Sequence, residues 1–533
     1  MLIYTRIISI LGMWTKLDTY IELYNGYMQD ILDRKHRTMD LLFLVLLGLL
    51  FLFLKRTIYY YMYLPPGPWG IPFLGYLPFM KSSPHAMYSR MADKYGEISS
   101  IKLGNHLVVC LNSPKLVKEL FSRSDSIARP RTPLNEIMEG RGIVLSEGIL
   151  WQKQRQFLHE KFRALGVKVW PKQRFEKFII MEIEEFITDL IKLNGAPVDP
   201  TLLLGRHVHN IICQLMMSFR FEEDDQEFGI FNEKISRGMK LYGSIHASEY
   251  VRQYLKLPGK KTILDEMKRS LADISEFHAN KIRERIDYRA THPYDEPADL
   301  LDYYLDNIEA RKSRKRFPDI FPGVDPEKQV VQVMNDLFSA GMETSRTTLS
   351  WTLLMMIHEP DVAAKVRAQL RETVHPGELV TLDHRPELPY LEAVLFETLR
   401  CVSLVPLGTT HVNTTEWKVD KYVIPKGAHI IPLIGKMNND SKVYPEPDKF
   451  KPERFLRDGQ FHIPDSYMAF GVGQRLCLGI QLARMQLFLF FANIMNRFEL
   501  SLPEGAEMPP LEGFMAATHT PLPYSLCFHK IDN

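Results

Sequence analysis

The hydrophobic pattern changes its rhythm along the chain. Near the N-terminus, Leu41 to Leu54 is apolar and carries no charge. Further on, Ile98 to Leu103 and Leu107 to Leu111 read as short strands, joined by the turn residues Gly104-Asn105-His106. From Pro114 the period is mostly helical. The longest helical stripe places apolar or small residues at Val330, Met334, Leu337, Gly341, Ser345, Thr348 and Thr352. Asp325-Pro326 gives it an N-cap and first residue, Glu327 complements its first turn, and it runs unbroken to His358-Glu359-Pro360. At about 1.5 Å per residue this helix is roughly 48 Å long, enough to cross a domain. A second apolar helix opens at Ile480 and runs to Phe491. The pattern predicts a mainly α protein with small β-sheets (α+β), and neither an internal repeat nor a flexible linker divides the body.

The run at Leu41 spans roughly 21 Å, short of a ~30 Å hydrocarbon core. Past Lys55-Arg56, however, comes the aromatic cluster Ile58 to Leu64, a composition suited to a membrane interface. Lysine and arginine snorkel, so residues 39–64 together are expected to form one tilted anchor. A signal peptide is the alternative, but no small-residue cleavage site follows. Residues 1–38 form an N-terminal extension whose acids (Asp18, Glu22, Asp30, Asp33) argue against a transit peptide. Its Arg34, Lys35 and Arg37 outnumber Lys55 and Arg56, which favours a cytosolic N-terminus. A start at Met39 reverses that balance and turns the body to the cytosol. Residues 65–70 (Pro-Pro-Gly-Pro-Trp-Gly) are a stiff, non-helical hinge before a body spanning 71–533.

Composition narrows the function classes. A hydrophobic share of 45% and a charged share of 24% describe an ordinary globular body. A net charge of +2 gives no reason to expect a nucleic-acid partner, and the basic patch Arg311 to Arg316 reads as a solvated loop. The cysteines (Cys110, Cys213, Cys401, Cys477, Cys527) are odd in number and lack CxxC spacing. That excludes a disulfide framework or a zinc ribbon and fits a reducing compartment.

The most informative stretch is Phe470-Gly-Val-Gly473-Gln-Arg475-Leu-Cys477-Leu-Gly479. A thiolate at Cys477 would have the positive end of the following helix beside it. Gly473 and Gly479 allow a tight loop whose N–H groups approach the sulfur. Arg475 is a fork-shaped cation suited to a carboxylate. In the middle of the long helix, Ala340-Gly341-Met342-Glu343-Thr344 opens a groove of small residues beside an acid and an alcohol. The plain alternative for Thr344 is a bond back to the Ala340 carbonyl. Glu397 and Arg400 place opposite charges on one helix face, and Trp151 and Arg155 share another.

Together these motifs resemble the cytochrome P-450 family. The loop matches its haem-binding signature, so the resemblance implies haem b with Cys477 as the axial iron ligand and Phe470 shielding the sulfur. Arg475, Trp151, Arg155 and His411 would hold the propionates. Ala340, Gly341, Glu343 and Thr344 would form the oxygen-binding groove and its proton relay. Glu397, Arg400 and Arg454 would form a buried structural triad. The implied fold sets the long helix over the haem. A thiolate ligand favours O–O cleavage, and the reaction inserts one atom of O2 into a C–H bond. No flavin or dinucleotide motif is present, so electrons from NADPH are expected through a separate reductase, with cytochrome b5 a further candidate partner. Lys153, Lys161 and Arg163 are candidates for the docking face.

Within the family, the resemblance is greatest to arthropod members acting on ecdysteroids, particularly the ecdysteroid 26-hydroxylase. It is carried by Cys213 to Phe221, Leu241 to His246, Val331 to Thr344, Val405 to His411 and Leu482 to Phe488. It implies an apolar, steroidal substrate and an endoplasmic-reticulum membrane location with the catalytic body facing the cytosol. The loop Asn135 to Leu145, Ser403 to Leu407 and Met515 to Thr518 are the expected substrate contacts. The extension 1–38 and Ser345-Arg346 depart from the pattern, and the latter bears on the proton path. The alternatives are an ecdysteroid 25-hydroxylase, a broad-range oxidase of foreign compounds, and a haem-binding sensor or carrier without turnover.

Overall fold

The computed structural model describes residues 19–29, 43–55, 58, 62–71, 73–80, 83–222, 225–244, 250, 252–292, 296–313, 319–515 and 517–531. The chain divides into two compact units, Met1–Leu64 with Lys418–Val423, and Pro65–Trp417 with Ile424–Asn533. In the first, residues 43–55 are helical and exposed. Among the described residues no helix is long and apolar enough to cross a membrane. Part of the anchor expected over 39–64 lies outside the described residues, as does the second half of the basic patch 311–316.

The second unit is helical around one pillar. Its main helices are α1 (Pro84–Tyr95), α2 (Pro114–Phe121), α3 (Gly148–Ala164), α4 (Glu176–Leu193), α5 (Pro200–Met217) and α6 (Gln226–Ser244). They continue with α7 (Lys260–Thr291), α8 (Leu300–Lys312), α9 (Pro326–His358), α10 (Pro360–Thr373), α11 (Pro389–Val402) and α12 (Ile480–Arg497). The pillar is α9. The Asp325 side chain accepts from Lys328 N–H at 2.9 Å, Pro326 occupies the first turn, and Pro360 starts the next helix. It is buried on nearly all sides, packing on α5, α7, α11 and α12. Its partner α12 is buried from Met485 to Met495, the mark of a core helix rather than a surface one.

A four-stranded sheet flanks this body in the order β1 (Ile98–Leu103), β2 (His106–Leu111), β4 (His429–Pro432), β3 (His411–Val412). The β1–β2 hairpin pairs Leu103 with His106, so His106 belongs to the strand and the turn is Gly104-Asn105 alone. β3 pairs antiparallel to β4, with His411 opposite Ile430, which fixes where His411 emerges. The proline segment lies against β1: Ser100 N–H donates to the Pro66 carbonyl at 2.8 Å. A Cβ on Gly67 would fall 1.6 Å from the Ser100 carbonyl oxygen, so only glycine fits there. Near the C-terminus, β5 (Phe498–Ser501) pairs with β8 (Cys527–Lys530), and β6 (Gly513–Met515) with β7 (His519–Pro521).

Candidate active site

The loop leading into α12 carries Cys477 at its end. The Cys477 N–H donates to the Phe470 carbonyl at 2.9 Å, which closes the loop. The N–H groups of Gly479 and Ile480 donate toward the sulfur. Gly473 has a task in addition to bending the loop. It has φ of 72°, and a Cβ there would stand 2.0 Å from the Phe121 carbonyl oxygen. It lets the loop lie against the end of α2, while Gly479 alone of the pair serves the sulfur. Cys477 is exposed, yet desolvation raises its thiol pKa ahead of the lowering by Gly479 N–H, Arg155 and Ile480 N–H. Both hold if it faces open space enclosed by the protein. A thiol in that state stays protonated until a cation replaces its proton.

Beside the loop is a cluster of cations. Arg475 donates to the carbonyls of Ile127 (3.0 and 2.7 Å), Ile143 (3.3 Å) and Ser146 (2.6 Å). Its guanidinium lies 4.0 Å from the ring centroid of the buried Trp151. Arg155, one turn along α3 from Trp151, donates to the Leu476 carbonyl. The third member, Arg129, was not anticipated; it donates to the Val144 (3.2 Å) and Thr410 (2.9 Å) carbonyls. Burial first, and then neighbouring guanidiniums, lower Arg475 to about 8 and Arg129 to about 10. Glu147 is the one carboxylate that opposes this at Arg475. His411 joins the cluster with its Nδ1 bonded to the Ser126 carbonyl at 2.8 Å and its ring stacked on Phe121. Burial, with Arg129 and Arg475 adding to it, holds His411 well below its usual pKa.

Midway along α9 the burial breaks. Ala340 is exposed and Thr344 half-buried within a helix otherwise in the core. The Thr344 hydroxyl donates to the Ala340 carbonyl at 2.8 Å, the local bond open to any mid-helix threonine. Glu343 is buried and paired with Arg346, and it also accepts from Thr518 Oγ1 at 3.2 Å. Arg346 in turn donates to Asn232 Oδ1 on α6 at 2.8 Å. The departure at Ser345-Arg346 therefore touches the acid directly. Gly341 faces the Ile212 side chain, 2.6 Å from where a Cβ would stand.

Over this stretch lies a cavity of about 770 Å³. All three stretches expected to contact substrate reach it, through Met138, Val144 and Leu145, then Val405 to Leu407, then Met515 and Ala517. Thr518 stands behind it, on Glu343. The α7 wall (Met267, Leu271, Ile274) was not anticipated, although its spacing of four and three residues is an apolar helical stripe. Away from the cavity, Glu397 is fully buried between Arg400 (2.7 and 2.9 Å) and Arg454 (3.2 Å), and it accepts from Lys451 N–H at 2.8 Å.

A family model for cytochrome P450 matches residues 65–528. Cytochrome P450 18a1 of Drosophila melanogaster is 39% identical over 501 residues, covering 93% of each chain. Cytochrome P450 2C21 of Canis lupus familiaris is 33% identical over 87% of this chain and 94% of its own. Cytochrome P450 2C29 of Mus musculus is 32% identical over the same shares. The chain belongs to the cytochrome P450 family, and it is a haem-dependent monooxygenase that uses O2 and electrons from a redox partner. The residues present fit that cofactor. Three guanidiniums and a neutral histidine with one opposing carboxylate lack negative charge, which two propionates supply. Among the described residues no group of three or more His, Cys, Asp or Glu could hold a metal ion. A lone cysteine suits an iron that brings its other ligands with it.

Proposed function

We propose that the protein is a membrane-anchored steroid hydroxylase acting on ecdysteroids, with the side-chain 26-position as the site of attack. Bound haem supplies activation of O2 at a thiolate-ligated iron, so that one oxygen atom enters the substrate C–H bond and the other leaves as water, at a cost of two electrons and two protons. Cys477 would supply the thiolate to the haem iron, with the Gly479 and Ile480 N–H groups and the N-terminus of α12 stabilising its negative sulfur. Arg475, Arg155 and Trp151 bind the propionates; His411, whose Nδ1–H is used on the Ser126 carbonyl, donates to them from Nε2 once the added negative charge lets it take up a proton. Phe470 closes the loop over the sulfur. Ala340 leaves room in the cavity wall, and Gly341 lets α9 lie close against Ile212 of α5. The Thr344 hydroxyl, which donates to the Ala340 carbonyl, turns its O–H into the cavity when that bond opens, and Glu343 replaces the proton it gives up from the Arg346 and Thr518 side. Glu397, Arg400 and Arg454 stabilise the surroundings without touching the cofactor.

The observation that carries the reading is the juxtaposition of Cys477, open to an enclosed space, with a cation cluster that lacks its anion. The cavity supports an apolar substrate of steroid size, since small-molecule sites span roughly 300–1,000 Å³. Residues 39–64 serve as the anchor and place the body at the cytosolic face of the endoplasmic reticulum. NADPH–cytochrome reductase supplies electrons, and cytochrome b5 is a second donor. The test is the carbon-monoxide difference spectrum of the reduced protein, followed by ecdysone titration and product analysis. The expected result is a thiolate-type Soret band, absent in Cys477→Ala, with an ecdysone-induced spectral shift and a 26-hydroxylated product. A haem-loaded protein without that band sinks the assignment of Cys477. A normal band with no ecdysone response sinks the substrate alone.

A further inference from the structure

One buried carboxylate of the cavity wall belongs neither to the cation cluster nor to the groove at Ala340. Asp336 lies on α9 one turn before Ala340, and its Oδ2 accepts from the N–H groups of Ile143 (2.7 Å) and Val144 (2.9 Å). Its Oδ1 accepts from Gln332 Nε2 at 2.9 Å. Two turns earlier on the same helix, Gln329 grips Gly142 from both sides. Its Oε1 accepts from Gly142 N–H and its Nε2 donates to the Gly142 carbonyl, each at 3.0 Å. Gly142 has φ of 83°, and a Cβ there would stand 2.3 Å from Asp336 Oδ2. The strap closes on itself through Ser146 Oγ, which donates to the Gly142 carbonyl at 2.7 Å.

The far side of the same strap faces the cations. The carbonyls of Ile143 and Ser146 accept from Arg475, and that of Val144 accepts from Arg129. The peptide unit joining Ile143 to Val144 therefore has Asp336 at its N–H and Arg475 at its carbonyl. A carboxylate and a guanidinium at opposite ends of one amide polarise it in the same sense, so each bond strengthens the other. Val144 and Leu145 also line the cavity, so the strap is shared by substrate wall and haem edge.

We propose that Asp336 is the positioning residue for the Arg475 guanidinium, acting through the Ile143–Val144 peptide, so that haem retention depends on a side chain of the cavity wall that lies outside the cation cluster. The inference rests on the reading of Arg475 as a propionate partner, and not on the steroid assignment.

The experiment is a double-mutant cycle on haem loss, read as transfer from the haem-loaded full chain to excess apomyoglobin. Asp336→Leu removes the acceptor and Asp336→Asn retains one. Arg475→Lys keeps the charge but cannot span the carbonyls of Ile127, Ile143 and Ser146. A buried hydrogen bond to a charged group contributes enough that each of the Leu and Lys variants is expected to lose haem about tenfold faster. Residues acting through one another are not additive, so the double variant should be no more than about twofold faster than the quicker single. Asp336→Asn should stay within about twofold of the parent. Multiplicative effects, near a hundredfold, overturn the inference and leave Arg475's role intact, as does an Asp336→Leu protein that keeps its haem normally. An Arg475→Lys protein without effect overturns both. If Asp336→Leu does not accumulate in folded form, Gln329→Leu loosens the same strap at Gly142 and enters the same cycle.

Discussion

Two of the molecule's arginine clusters differ in one respect. Around Glu397 the polar groups are matched: two guanidiniums share the one buried carboxylate and backbone carbonyls. Arg400 is fully buried, donates to both carboxylate oxygens, and spends its remaining donors on the Asn438 and Pro447 carbonyls, both at 2.8 Å. Around Arg475 three guanidiniums meet carbonyl oxygens and aromatic rings, and burial depresses the pKa of all three. A closed cluster has nothing left to bind, whereas an open one waits for an anion. The contrast separates a structural group from a binding group by satisfaction of charge rather than by residue type.

The largest expected effect follows from breaking the closed cluster. Arg400→Ala leaves Glu397 buried with only Arg454 and a backbone N–H, and losing one partner of such a group costs about 3–5 kcal/mol. That is a large part of the ~5–15 kcal/mol by which a domain is stable. The variant should yield little folded protein and a thermal midpoint many degrees below the parent. A normal midpoint would remove the distinction between the two clusters.

Breaking the open cluster should give the reverse pattern. Arg155→Gln relieves repulsion among buried cations, so the stability of the haem-free protein should change by less than about 1 kcal/mol. Haem transfer to apomyoglobin should accelerate about fivefold, the loss of one charge-assisted contact. Equilibrium unfolding of the haem-free protein and haem-transfer kinetics on one preparation read both halves. A large loss of haem-free stability with unchanged haem retention would show that Arg155 is structural too.

The two clusters also show what the sequence could reveal. The bounds of α9 were legible because capping and periodicity are local: Asp325, Pro326 and Pro360 stand next to the turns they control. The partners of Glu397 lie three and 57 residues away along the chain, and only the family resemblance joined Arg454 to them. Arg129 carries no local signature, since what makes it part of the site is the approach of Thr410 and Val144 from distant segments. The same holds for Asp336 and Gly142, whose relation exists only once α9 meets the loop before α3. The close approach of Gly473 to Phe121 was hidden because Phe121 is more than 350 positions earlier. Local geometry was readable, and contacts between distant segments were not.

A third buried polar group sharpens the comparison, because it is neither matched nor charged. His209 lies wholly in the core, its ring 4.2 Å from that of Phe338, and neither ring nitrogen has a hydrogen-bond partner among the described residues. Desolvation first, then Arg346 and His278, lower its pKa to about 3. His278 is lowered to about 4, again chiefly by burial, while its Nδ1 meets Asn335 Oδ1 at 2.7 Å. Both folded values lie below the ordinary ~6.5 of an unfolded histidine, so on acidification the unfolded chain takes up protons first. Stability must then fall as pH drops below about 6.5, and His209 stops contributing to the fall only near pH 3. Going from pH 6.5 to 5.5, one such histidine costs about 1 kcal/mol. His209→Phe keeps the aromatic packing and cannot take up a proton. Urea unfolding of the parent and the variant at the two pH values should show the variant losing about 1 kcal/mol less. Equal losses would mean that His209 titrates normally in the folded protein, and that its nitrogens have partners that satisfy the charged ring.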